Sequence, residues 1–176
     1  MFRKVRTFKF CILLFLLFFS FLSNTSFSTE VFDEKSLFKK GHWEVVLLRY
    51  DDRSTACIAR NSSGNKEFQI YVNGDVEELA IFYDDSNVNE TLKIFQFAVD
   101  DYASWYSKNP FFDSGWLIMD LNSGSDKAVT ELIQEIRNGQ EFFHLDDNSK
   151  IISSFSLKGS AASISELVKC IEDQDF

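Results

Sequence analysis

Proline is nearly missing from this chain: it occurs once in 176 residues, beside seven glycines and two histidines. With 45% hydrophobic residues as well, that scarcity excludes collagen-like, linker-like and wholly disordered chains, and the length fits one ordinary domain. Metal-ligating side chains are equally few. Cys57, Cys170, His42 and His144 show no ligand spacing, so no metal and no cofactor is expected. Positive charge is scarce beyond the first residues. Residues 1–28 hold Arg3, Lys4, Arg6 and Lys9 and no acid, which leaves 14 basic against 27 acidic residues in the remainder, a formal charge of −13. A surface that acidic repels phosphate backbones, which argues against nucleic acid as a partner.

What is present at the N-terminus is an address. Four basic residues precede an apolar run from Phe10 to Leu22, broken only by Ser20 and followed by a polar stretch with small residues at Ser26 and Ser28. That order predicts a secretory signal peptide over residues 1–28, cleaved after about Ser28 to leave Thr29 first. The alternative is an uncleaved anchor, but a helix from Phe10 to Leu22 rises about 20 Å, short of the roughly 30 Å hydrocarbon core. Membrane contact is therefore expected only through the signal peptide, and residence in the periplasm or outside the cell. Export leaves Cys57 and Cys170 as the mature thiols, and in an oxidising compartment they are expected to form one disulfide. Such a bridge closes a loop worth about 4–5 kcal/mol in the chain-entropy model. Two buried, unpaired thiols are the alternative.

Along the mature chain, residues 29–40 read as a flexible leader or short helix, and residues 41–176 as a single domain. From His42 on, short apolar runs alternate with turn residues, the pattern of strands. Trp43–Tyr50, Thr55–Arg60, Glu67–Val72 and Val76–Tyr83 form a predicted meander, with turns at Asp51-Asp52, Asn61–Asn65 and Asn73-Gly74-Asp75. Residues 92–106 fit two strands better than a helix because of their aromatic and β-branched content, although Leu92, Phe95, Val99, Tyr102 and Tyr106 also repeat at helical spacing. Gly115–Leu121 is a further strand, and Glu141–Leu145 and Ile151–Leu157 make a second hairpin. Helices are predicted after Ser125 and Ser160, each read as an N-cap ahead of an apolar stripe. The fold class is thus α+β: a mainly antiparallel sheet of seven to nine short strands, sandwich-like or a curled meander, with two helices of the C-terminal half packed on it.

Candidate chemistry is thin. The pairs Asp51-Asp52, Asp84-Asp85, Asp100-Asp101 and Asp146-Asp147 each fall where a strand run ends, so they read as turn formers and not as acid–base pairs or calcium ligands. No nucleophile elbow is present, and no catalytic residue is assigned. Trp43, Trp105 and Trp116 are the candidates for a binding surface, against the plainer reading that strand aromatics fill a core.

The segments Trp43-Glu44-Val45, Ala56-Cys57-Ile58-Ala59 and Phe155-Ser156-Leu157-Lys158-Gly159-Ser160-Ala161-Ala162, with Ile164 and Cys170, resemble the invasion-associated locus B family of exported bacterial proteins. The resemblance spans about Gly41 to Cys170. It implies a periplasmic or secreted protein connected with host-cell invasion or colonisation, and it carries no catalytic residue across. The expected function is non-enzymatic binding of an unknown protein, envelope component or host component. The alternative is a small periplasmic hydrolase with a site assembled around His144 or His42, which requires one imidazole within hydrogen-bond reach of both a serine and a carboxylate.

Overall fold

Strands dominate because runs of β-branched and aromatic residues are divided by turns of about two residues. The computed structural model describes residues 30–74, 78–86, 88, 92–108 and 110–174. In chain order the strands are β1 (Val31–Lys40), β2 (Trp43–Tyr50), β3 (Thr55–Ser63), β4 (Lys66–Asn73), β5 (Glu78–Asp84), β6 (Ile94–Val99), β7 (Trp105–Lys108), β8 (Phe111–Asp113) and β9 (Trp116–Asp120). Helix α1 (Asp126–Asn138) follows, then β10 (Glu141–Leu145), β11 (Ile151–Ser156) and helix α2 (Ser160–Asp173). The first five strands form a meander, and β9 and β8 extend it to a seven-stranded sheet in the order β1-β2-β3-β4-β5-β9-β8. A second sheet has the order β11-β10-β6-β7. Every strand pair is antiparallel. The expected α+β class, mainly antiparallel with two helices in the C-terminal half, is the observed one.

The two sheets meet through aromatic rings. Phe68 of β4 lies 4.8 Å, centroid to centroid, from Phe142 of β10, and Tyr83 of β5 lies 5.0 Å from Phe95 of β6. These rings are fully buried, together with Trp43, Phe155, Ile81, Leu117 and Ile136. Each stabilises by about 1.5–3 kcal/mol relative to exposure. Helix α2 lays Ile164, Leu167 and Cys170 into the same core and packs on β1, β2 and β3, while α1 packs on α2 and contributes Leu132 and Ile136. Cys170 is bonded to Cys57 of β3, with the two Cα atoms 6.0 Å apart. The expected disulfide therefore ties the last helix to an early strand of the large sheet.

Several local expectations change. Residues 31–40, read as a flexible leader, form β1, a full-length edge strand whose register runs from Val31 opposite Tyr50 to Lys40 opposite Trp43. Its side chains are mostly exposed, which is why its sequence looks like a leader; cross-strand bonds hold it, including Arg49 to Asp33 at 2.9 Å and Ser36 to Glu44 at 2.7 Å. Strand β3 runs on to Ser63, so the turn is only Gly64-Asn65, and Asn61 is buried, donating to the Ser156 carbonyl at 2.6 Å. Residues 92–106 fall in two paired strands, as expected, but the second, β7, begins only at Trp105, after a turn in which the N–H of Tyr102 donates to the Val99 carbonyl. Strand β8 was not anticipated. The predicted turn at Asp75 lies outside the described residues, as do residues 1–29. At the last helix Gly159, not Ser160, is the N-cap, at φ 109°. Ser160 is instead a buried first-turn residue whose Oγ donates to the Arg137 carbonyl at 3.1 Å, joining α2 to the end of α1.

Candidate functional site

The three tryptophans do not share a surface. Trp43, at the start of β2, is wholly buried edge-on to Phe68. Its place in the core removes it from any binding surface. Trp105 on β7 is half-buried and donates its indole N–H to Glu135 at 2.6 Å, fastening the small sheet to α1 beside a cavity of about 370 Å³. Trp116, on β9, belongs to a different place: the face of the large sheet that looks away from the small one.

That face follows from strand alternation. While Val45, Leu47, Phe68 and Ile81 point into the main core, their neighbours Val46, Leu48, Ala56, Ile58 and Tyr71 form a second buried cluster on the opposite side. Four aromatic side chains cross this side from β2, β4, β5 and β9. The hydroxyls of Tyr50 and Tyr71 are 3.2 Å apart, Tyr71 and Phe82 stand 5.2 Å centroid to centroid, and Trp116 meets Phe82 edge-on at 6.1 Å. They line a depression of about 300 Å³ whose other walls include Glu34, Arg60, Gln69 and Glu78. Tyr50, Phe82 and Trp116 are half-buried, so apolar surface remains available in the depression.

Its electrostatics are acidic. The Arg60 guanidinium is held by Glu34 at 2.7 Å and by Glu44 at 2.9 Å. The Ser36 hydroxyl and then Arg60 hold the Glu44 carboxyl below its usual range. Glu78 is different. Half-buried at the start of β5, it has no ion-pair partner among the described residues, and burial, then the charge of Asp120, push its carboxyl up. Burial and then the Tyr71 hydroxyl likewise raise Tyr50, so its phenol stays neutral. The Arg60 guanidinium is thus taken up by Glu34 and Glu44, and Glu78 has no cation paired with it among the described residues.

A second polar cluster lies where the two sheets meet. Lys66 donates to Ser153 Oγ at 2.5 Å and sits 3.4 Å from Asp85, which also accepts from the Tyr83 hydroxyl at 3.1 Å. His144 is buried against Tyr83 and Phe95, its Nδ1 has no hydrogen-bond partner among the described residues, and burial lowers its pKa. His42 is exposed in the β1–β2 turn. Among the described residues neither imidazole makes the paired bonds to a serine and a carboxylate that hydrolysis would need. The cluster locks strands together.

The acidic pairs act mainly through backbone. Asp52 accepts from the N–H of Ser54, Asp146 from those of Asn148 and Lys150, and Asp100 from those of Gln140 and Glu141 at 2.8–3.0 Å. Asp85 departs from the turn pattern by being buried in the ion network. No group of three or more metal-ligating side chains occurs among the described residues, and no helix there is long and apolar enough to cross a membrane. Of the residues lining this depression, sequence reasoning singled out Trp116 and did not point to Tyr50, Tyr71, Phe82 or Glu78. Each is an ordinary alternate strand position, and only the register of β2, β4, β5 and β9 brings them together. The buried disulfide fits an oxidising environment, extracellular or periplasmic. Comparison of the chain with protein-family models, curated proteins and solved structures gives no match.

Proposed function

We propose that this chain is an exported binding protein, released from a signal peptide after about Ser28, that engages a partner through the aromatic face of its seven-stranded sheet. The single observation behind this reading is the aromatic row Tyr50–Tyr71–Phe82–Trp116, which surrounds an open depression on the face of the large sheet opposite its main core. A soluble domain seldom leaves aromatics gathered around a recess without a use for them. Export is supported by the basic–apolar–small order of residues 1–28 and by the disulfide. The resemblance of residues 41–170 to the invasion-associated locus B family favours a partner in the bacterial envelope or on a host cell. The face offers contact area and charge, and among the described residues it holds no nucleophile paired with a base.

The test is site-specific photocrosslinking of the exported protein in envelope and host-cell extracts. Benzoylphenylalanine at position 116 is expected to give a discrete adduct, and the same group at position 152, on the exposed edge strand β11, is expected to give none. No adduct from position 116, with a model ester or glycoside turned over instead, would replace binding by hydrolysis.

A further inference from the structure

Resting on that reading of the sheet face, we propose that its ligand is a basic peptide segment of a partner protein, seating a lysine or arginine side chain over Phe82 and Trp116 with its charge against Glu78. Three observations on the face converge. Phe82, Trp116 and Glu78 line one depression, so an aromatic surface and a carboxylate are presented to the same small volume. Cations are attracted to the faces of Trp, Tyr and Phe rings, and more strongly where water is displaced. Glu78 has no cationic partner among the described residues and stands near Asp120, so a half-buried negative charge is left for a ligand to neutralise. The one guanidinium of the face, Arg60, is already engaged by Glu34 and Glu44 and does not reach out as an anion receptor.

The rest of the chain points the same way. The formal charge of −13 over residues 29–176 attracts a basic partner at long range and repels an acidic one. A neutral saccharide is the competing occupant, since aromatic platforms with Gln and Glu at their rims also hold sugars. It would leave Glu78 unneutralised, and that difference decides the choice.

Calorimetric titration of the full, disulfide-bonded chain in 150 mM salt distinguishes the two (the salt level is set near about 0.15 M, where exposed charges are screened over about 8 Å). The probes are an octa-arginine peptide, a Gly-Ser octapeptide and chitohexaose. Octa-arginine is expected to bind and the Gly-Ser peptide is not. Trp116→Ala, which leaves the charge unchanged, and Glu78→Gln are each expected to weaken octa-arginine about tenfold or more. Glu131→Gln makes the same charge change at an exposed position on α1 and is expected to weaken it less than about twofold. If Glu78→Gln and Glu131→Gln act equally and Trp116→Ala does nothing, binding reflects the acidic surface at large and the inference is overturned. If chitohexaose binds in a Trp116-dependent way while octa-arginine does not, the cationic ligand is wrong and the binding face stands. Loss of the position-116 crosslink removes the face itself.

Discussion

His144 shows how one residue's environment sets a property its sequence neighbours do not reveal. It is nearly fully buried between Tyr83 and Phe95, with Asp85 and Lys66 near enough to act on it in opposite senses. Burial is the largest influence and disfavours the imidazolium, so the folded pKa lies below the ordinary value of 6.5. Above that value both folded and unfolded states are neutral, and the residue has no effect on the pH dependence of stability. As the pH falls through 6.5 toward the depressed folded pKa, the unfolded chain takes up its proton first, and stability is lost. His144→Phe keeps an aromatic ring and removes the unpartnered Nδ1. Thermal unfolding at pH 7.5 and pH 5 is expected to show a smaller acid loss in this variant than in the parent. An unchanged loss would assign acid sensitivity to the carboxylates instead.

At the scale of elements, the approach to α2 is the most constrained junction. Gly159 caps the helix at φ 109°, a conformation in which side chains with a Cβ are strained. A Cβ there would also come within 3.3 Å of Trp43 Cδ1, a ring fixed in the core. Gly159→Ala is therefore expected to lower stability by about 2 kcal/mol, read from denaturant midpoints at constant slope. A change within about 0.5 kcal/mol would mean that the turn relaxes without moving Trp43. The segment Leu157–Ala162 was legible in the sequence as a strand handing over to a helix. Which residue served as the cap was not, because Ser160 is a good cap by type and only the left-handed backbone at Gly159 takes the position from it. Strand β1 was hidden for a related reason. An edge strand exposes most of its side chains, so Asp33, Glu34, Lys35, Lys39 and Lys40 give it the texture of a tail, while its pairing with β2 is made by backbone.

For the whole molecule the disulfide is the decisive cross-link. Cys57 and Cys170 are 113 residues apart, so the bridge removes much of the unfolded chain's freedom, and both sulfurs are buried in the core that joins the sheets to α2. Replacing both by serine is expected to cost roughly 4 kcal/mol and to steepen the denaturant slope, because the unbridged chain exposes more surface when it unfolds. Urea titration of the double variant against the parent checks both effects. A loss below about 1 kcal/mol would show that packing of Ile164 and Leu167 alone holds α2 in place. The same scale carries the acidic character: 27 carboxylates against 14 basic groups beyond residue 28 favour a basic partner, whichever face receives it.

Composition and local pattern alone determined the α+β class, the positions of most strands and both helices, and the expectation of a Cys57–Cys170 bridge, because hydrophobic period, turn chemistry and export signals act over short stretches of chain. Tertiary structure alone decided which aromatics meet. Trp43 was drawn into the core and Trp116 was left on the far face with Tyr50, Tyr71 and Phe82, four residues each at least 11 positions from the next in the chain. Strand register sets those neighbours, and register is fixed by the pairing of whole strands, which no single residue type announces.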